Sequence, residues 1–150
     1  MKSDDEYMGI ALARAHESAA RGEVPVGAVL VDDSGVVIAS AGNDTVSAHD
    51  PVGHAEIRVL RKAARVRENY RLPGTTMYVT LEPCAMCAAA LVHSRVARLV
   101  FGARDPKTGA VVSLYHIGSD GLLNHSFSIT GGVREEECGS LLREFFQMRR

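Results

Sequence analysis

The stretch TLEPCAMC, Thr80 to Cys87, read together with HAE at His54 to Glu56, constrains this chain more than any other feature. Cys84 and Cys87 sit three apart just after Pro83, and a proline suits the first position of a helix because its missing N–H has no partner there anyway. Both sulfurs then share one face of the opening turn. The positive end of that helix lowers thiol pKa values and readies the pair to bind a metal as thiolates. Zinc wants four ligands: a structural site closes with protein groups, whereas a catalytic site uses three and keeps a position for water. His54 is the evident third ligand, and Glu56 the evident carboxylate beside it.

On a regular helix, residues i and i+2 point to roughly opposite sides, so His54 and Glu56 can approach one ion only from the very start of a helix. Asp50 and Pro51 upstream read as an N-cap and a first-turn proline, and Ile57, Leu60 and Ala64 follow at apolar helical spacing. Two helices are thus expected to aim their N-termini at one ion. Zinc against two thiolates sums to zero charge, so such a site acidifies bound water less than an all-histidine site. The helix ends and a nearby base must contribute the rest.

A length of 150 residues implies one domain, 1–150, able to bury a single core without staples. Three cysteines, two of them claimed, give no disulfide framework; no apolar run is long enough to span a bilayer, and no cationic and apolar leader precedes Ala11. The expectation is a cytoplasmic chain with no membrane partner. The net charge of -1 is unlike that of a nucleic-acid binder. That mean conceals an asymmetry. From Arg58 to Arg71, six basic residues (Arg58, Arg61, Lys62, Arg65, Arg67 and Arg71) face one acidic residue, Glu68, for a net +5. By itself, such a run reads as a solvated helix face.

In chain order, Ser3 and Glu6 make a capping box, and Met8, Ala11, Leu12, Ala15 and Ala19 repeat at helical spacing to about Arg21. Valine-rich VPVGAVLVD reads as a buried strand, DSG at Asp33 to Gly35 as a hairpin turn, and VVIASAGN as the partner strand. After the His54 helix, Pro73 and Gly74 break the chain and TTMYVT makes a third strand. The cysteine helix runs to about His93, and ARLVFGA is a fourth strand. This alternation predicts an α/β crossover sheet with helices on both faces. The turn-rich segment after Asp105 suggests a short helix near Val111 to Tyr115. SFSIT reads as a fifth strand, and EEECGSLLREFFQMRR as a final helix with Cys138, Leu141, Leu142 and Phe145 inward.

HAE followed by PCxxC after 26 residues resembles the signature of the zinc-dependent nucleoside and nucleotide deaminase superfamily, in which the glutamate is not a ligand. The likeness extends to PVGAVLV (Pro25 to Val31), GND (Gly42 to Asp44), HDPVGHAEI (His49 to Ile57), NYRL (Asn69 to Leu72), VTLEPCAMC (Val79 to Cys87), FGARDPKTGA (Phe101 to Ala110) and FFQMRR (Phe145 to Arg150). Across nearly the whole chain these segments are similar to the bacterial tRNA-specific adenosine deaminases. The resemblance implies a three-layer α/β/α cytidine-deaminase-like fold with a mixed sheet of about five strands. It also implies one zinc ion per subunit on His54, Cys84 and Cys87, and hydrolysis of adenosine to inosine at the wobble position of a tRNA anticodon. In that chemistry a zinc-activated hydroxide attacks C6 and Glu56 shuttles the proton. Through the same resemblance, Asn43 matches the residue that bonds the flipped base, and Asp105 and Lys107 match contacts to neighbouring nucleotides. Phe145, Arg149 and Arg150 fall where the terminal helix approaches RNA. Homodimers pairing through the zinc-site helices are implied too, and the apolar run Ala85 to Val92 would serve an interface as well as a core.

Each residue has a plainer reading on its type alone. Cys84 and Cys87 could be a redox pair or half of a structural zinc site, and His54 a core or capping histidine. Glu56 tips the balance, because a carboxylate inside an apolar AEIxxL segment is costly unless it serves a purpose. Asn43 is otherwise a turn residue, Asp105 a loop cap, and Arg149 and Arg150 a frayed tail. A free-base or nucleoside deaminase acting on guanine or cytosine would use the same chemistry in a smaller pocket. A non-catalytic RNA-binding subunit could use zinc only to hold its fold. The basic RDPKTGA loop and FFQMRR end argue against the first, and Glu56 against the second.

Overall fold

In the computed structural model, residues 1–149 are described; Arg150 lies outside them. Alternating side chains sort the strands' residues into two cores, because successive residues of a strand point to opposite faces. Strand β1 (Gly27–Val31) sends Ala28 and Leu30 to one face and Val29 and Val31 to the other. Strands β3 (Thr76–Leu81) and β4 (Arg98–Ala103) repeat the division, with Met77, Val79, Leu99 and Phe101 opposite Tyr78 and Val100. With β2 (Val37–Gly42) and β5 (Ser128–Thr130) they form one sheet in the order β2-β1-β3-β4-β5. β1 runs antiparallel to β2 and β3, whereas β3, β4 and β5 are mutually parallel, which makes the sheet mixed.

Each face is covered by two helices. Helix α1 (Asp4–Ala20) and α4 (Glu135–Gln147) pack Tyr7, Met8, Ala11, Leu12 and Cys138 against Val29, Tyr78 and Val100. On the other face, α2 (Ala55–Arg67) and α3 (Ala85–His93) bury Val59, Leu60, Ala63, Ala88, Leu91 and Val92 over Leu30, Met77 and Leu99. This three-layer α/β/α arrangement is the expected one. Full burial of each such large side chain contributes about 1.5–3 kcal/mol. The Ser3–Glu6 capping box forms as expected, and Asp4 clamps α1 to the sheet through Arg98 (3.0 and 2.7 Å) and the Tyr78 hydroxyl (2.8 Å). No helix among the described residues is long and apolar enough to cross a membrane.

Several boundaries differ from the sequence reading. Helix α2 begins at Ala55 with His54 as its N-cap, and Asp50 and Pro51 belong to the turn before it, where Asp50 accepts the Val52 N–H. Pro83 precedes α3 and does not occupy its first position; Cys84 is the N-cap. β1 starts only at Gly27, which frees Val24 and Val26 from the sheet to line a cavity. Ala19 is half-buried, and Ser18 takes the buried place on α1. Val111 to Tyr115 form turns and no helix, because the N–H groups of Val111, Val112 and Ser113 donate to the Glu82 carboxylate.

Candidate metal centre and active site

The beginnings of α2 and α3 meet beyond the C-terminal end of β3. An N-cap residue is extended while its carbonyl already accepts the first helical bond, so its side chain is free to point away from the helix. His54 (φ -66°, ψ 153°) and Cys84 (φ -73°, ψ 175°) both have this geometry, and neither side chain caps its own helix. Instead they turn to each other: His54 Nδ1 stands 3.6 Å from Cys84 Sγ and 3.4 Å from Cys87 Sγ. The three donor atoms lie within 4.8 Å of one another.

Zinc bonds of roughly 2.3 Å to sulfur and 2.0–2.1 Å to nitrogen, set tetrahedrally, require nitrogen–sulfur edges of about 3.5 Å. The two edges match that value, so one imidazole and two sulfurs fit a zinc ion. The positive ends of both helices favour thiolates here. The two sulfurs are nonetheless unequal. The pKa of Cys84 falls to about 4, chiefly through its hydrogen bond with Cys87 and with help from His54. Cys87 is pushed up by the same hydrogen bond and by burial. His54 is raised by its bond to Cys84. Cys84 and Cys87 would hold the ion as thiolates, which would require Cys87 to give up its proton.

Glu56, the second residue of α2, is 4% exposed and lines the same recess. Burial pushes its carboxyl up to about 7, an effect that its own backbone N–H and His54 oppose only in part. A carboxyl poised near neutrality is suited to taking and returning a proton. The recess is a cavity of about 210 Å³ whose walls include His54, Glu56, Cys84, Asn43, Val24 and Asp105. That volume is below the roughly 300–1,000 Å³ of sites for drug-sized ligands and suits one small ring system.

Asn43 is 6% exposed, and its backbone is held on three sides. Its N–H donates to Val26, and its carbonyl accepts from Ser18 Oγ (2.9 Å) and Arg21 (3.5 Å). The side chain is left to face the cavity. Asp105 also reaches the cavity, but its carboxylate is engaged by the Lys107 and Thr108 N–H groups and the Thr108 hydroxyl, so it caps its own loop as well. Lys107 is exposed and is not part of the cavity wall. Phe145 is buried on α4, with the Arg149 guanidinium stacked 3.7 Å above its ring. Arg149 also lies against Gly22 at the end of α1, two residues from Val24 of the cavity wall. The Arg150 assignment lies outside the described residues.

Two buried carboxylates escaped the sequence reading. Glu82 (2% exposed) accepts N–H bonds from Asp105, Val111, Val112 and Ser113 and a bond from the Ser113 hydroxyl. Gly109 is obligatory beside it, because a Cβ there would collide with the carboxylate. Glu23 (1% exposed) likewise accepts from the Thr45, Val46 and Ser47 N–H groups at 2.9–3.1 Å. The two hold the loops on opposite walls of the cavity. Burial raises each carboxyl, and the hydrogen-bond donors outweigh it, the Ser113 hydroxyl foremost for Glu82 and the N–H groups for Glu23, leaving both below the usual 4.5. The signal was present in GEVPVG and TLEPC: a charged residue in an apolar run needs partners.

Residues 1–103 match the family model of the cytidine and deoxycytidylate deaminase zinc-binding region. The chain belongs to this family. Zinc is accordingly its cofactor, in agreement with the donor geometry. The chain is 51% identical over 147 residues to the tRNA-specific adenosine deaminase of Haemophilus influenzae, covering 98% of this chain and 85% of that one. With the protein of the same name from Agrobacterium fabrum it shares 45% over 150 residues, or 100% and 98% of the two chains. A solved structure from work on A-to-I editing by tRNA:A34 deaminases superposes with a TM-score of 0.88 at 46% identity, over 91% of this chain and 99% of that one. Guanine deaminase from Nitrosomonas europaea superposes at 0.84 with 25% identity, over 97% and 85%.

Proposed function

We propose that this chain is a zinc-dependent hydrolase that converts adenosine to inosine at the wobble position of a tRNA anticodon. The reading is carried by the meeting of His54, Cys84 and Cys87 with a buried Glu56 at one small cavity, in a chain half-identical over its length to a tRNA-specific adenosine deaminase. His54, Cys84 and Cys87 would hold the ion. When bound, it supplies Lewis acidity that lowers the pKa of water toward neutrality.

The remaining steps belong to this chain's own groups. Glu56 accepts a proton from the attacking water and delivers it to the adenine ring nitrogen adjoining C6. As the C6–amine bond breaks, Glu56 carries the second proton to the departing nitrogen, which leaves as ammonia. Asn43, its backbone fixed by Ser18 and Arg21, presents its side chain to hydrogen-bond the base. An adenine stacked in a duplex cannot enter such a cavity, so the substrate is a loop nucleotide turned outward. Asp105 of the cavity wall and the exposed Lys107 in the same loop, with Phe145, Arg149 and Arg150 at the end of the chain, take the flanking nucleotides.

We further read the enzyme as cytoplasmic, where the tRNA is, and as a homodimer. α3 bears no charged residue between Ala85 and Val92, and on it Ala85 is exposed while Met86 and Ala89 are only partly buried. The likeness to guanine deaminase supports one second reading, a free-base deaminase. Incubating the zinc-loaded protein with an anticodon stem-loop bearing wobble adenosine, and separately with adenosine, guanine and cytosine, separates the two. Inosine in the stem-loop is the expected product. Turnover of guanine or cytosine without turnover of the RNA would reject the tRNA reading.

A further inference from the structure

Four basic side chains from two layers gather over the free edge of the sheet, where β2 has no outer neighbour. Arg58 of α2 donates to the Gly42 carbonyl at 2.5 Å, and Arg21, just past α1, reaches the Asn43 carbonyl. Arg14 of α1 is pressed against the same spot: a Cβ on Gly42 would stand 2.6 Å from the Arg14 carbonyl oxygen, a close approach only glycine permits. Lys62 follows Arg58 by four residues, one turn and about 6 Å along α2. Its ammonium is held below the usual range, first by burial and then by repulsion from Arg58 and Arg14, as expected of three neighbouring cations.

Hydrogen bonds from Arg58 and Arg21 to two carbonyls hold their side chains in place but do not neutralise the charge of this gathering. Like charges at i and i+4 repel. Among the described residues, Arg21, Arg58 and Lys62 pair with no carboxylate, and Arg14 pairs only with Glu17, leaving its Nε buried without a partner. The whole chain carries a net charge of -1, so outside these four cations it is acidic. The cluster adjoins the cavity through Gly42 and Asn43, the carbonyls that its arginines grip.

We propose that Arg14, Arg21, Arg58 and Lys62 form a cationic rim that takes the phosphodiester backbone of the RNA strand where it leaves the nucleotide held in the cavity. The inference rests on the tRNA reading above and adds to it a second wall, across the cavity from the 105–108 loop. A strand with one base in the recess must exit on two sides, and this is the side where Arg21, Arg58 and Lys62 stand without a carboxylate partner among the described residues. Phosphate contacts of this kind give sequence-independent affinity that falls with salt.

Binding of the full zinc-loaded chain to an anticodon stem-loop with wobble adenosine, titrated from low to moderate salt, tests this. Removing two phosphate contacts with Arg14→Gln/Lys62→Gln should flatten the plot of log K against log salt by about 1.4, at roughly 0.7 per single-strand contact. Exposed Lys62→Gln alone, which carries little folding risk, should flatten it by about half as much, and Lys62→Arg should restore the wild-type slope. Arg67→Gln, at a residue paired with Asp32 elsewhere on α2, should leave slope and affinity unchanged. A wild-type chain that deaminates the stem-loop while the Lys62→Gln and double variants keep its slope overturns the rim alone. A wild-type chain that neither binds nor deaminates the stem-loop overturns both the rim and the tRNA reading.

Discussion

Glu56 and Glu82 are both nearly inaccessible, at 4% and 2% exposure, yet their surroundings push them in opposite directions. Glu82 is surrounded by donors and stays ionised below the usual range; Glu56 is pushed up to about 7 by burial. Glu82 is a strut, and Glu56 is the group to which we assign the proton transfers. Glu56→Gln should keep zinc and fold while turnover of the stem-loop drops by about 10²–10⁴, the usual contribution of general acid–base catalysis. Metal analysis beside single-turnover inosine formation checks this, and wild-type turnover would remove Glu56 from the chemistry. Cys87→Ala should instead lose the ion, since two remaining protein donors do not make a zinc site. Metal analysis of the purified variant reads that outcome directly.

At the scale of elements, Glu23 and Glu82 replace regular structure as the means of shaping the cavity walls. Each gathers the N–H groups of a loop onto one buried carboxylate, so removing either leaves those groups unsatisfied. Glu82→Ala should cost about 1–3 kcal/mol and loosen the 105–113 loop, read as a lower Tm and faster amide exchange at Val111 to Ser113. Their acidities also set a pH limit. Because both folded values lie below 4.5, their stabilising effect is complete above that pH and is lost as pH falls through the folded values. Thermal unfolding should therefore show a steady loss of stability below about pH 4.5, shallower in Glu82→Gln, which has no such proton to gain.

Elements also differ in how far they could be read from the sequence. Strands and helices with strong periodicity, such as Met8 to Ala15 or Thr76 to Leu81, were legible because burial repeats at the period of the element. Asp50, Pro51 and Pro83 carry helix-start chemistry but sit in the turns that deliver His54 and Cys84 to N-cap positions, where a metal donor replaces a capping oxygen. Val111 to Tyr115 reads as a helix locally and is drawn into turns by Glu82, a partner 29 to 31 residues away whose position no local pattern gives. His54, Glu56, Cys84 and Cys87 were legible for the opposite reason: their residue types are costly to bury unless they act together. Phe145 was legible as a core residue, and the Arg149 guanidinium stacks on its ring.

Across the whole molecule, the mixed sheet puts the N-terminal edge of β1 beside the C-terminal edge of β3, and this juxtaposition brings Val24, Asn43, Glu56 and Cys84 around one recess. Helices α2 and α3 lie on the same face and begin at the same edge, so both positive ends bear on the donors. The outward apolar side of α3 predicts that the 16.1 kDa chain sediments at twice that mass, and that Met86→Glu shifts it to the monomer. The most direct test of the central claim, one imidazole and two sulfurs gripping an ion with a coordination position kept open beside Glu56, is zinc K-edge X-ray absorption on the purified protein. The account predicts two sulfur neighbours at about 2.3 Å and two nitrogen or oxygen neighbours at about 2.0 Å, only one of them an imidazole. Four protein donors, or any sulfur count other than two, would contradict it.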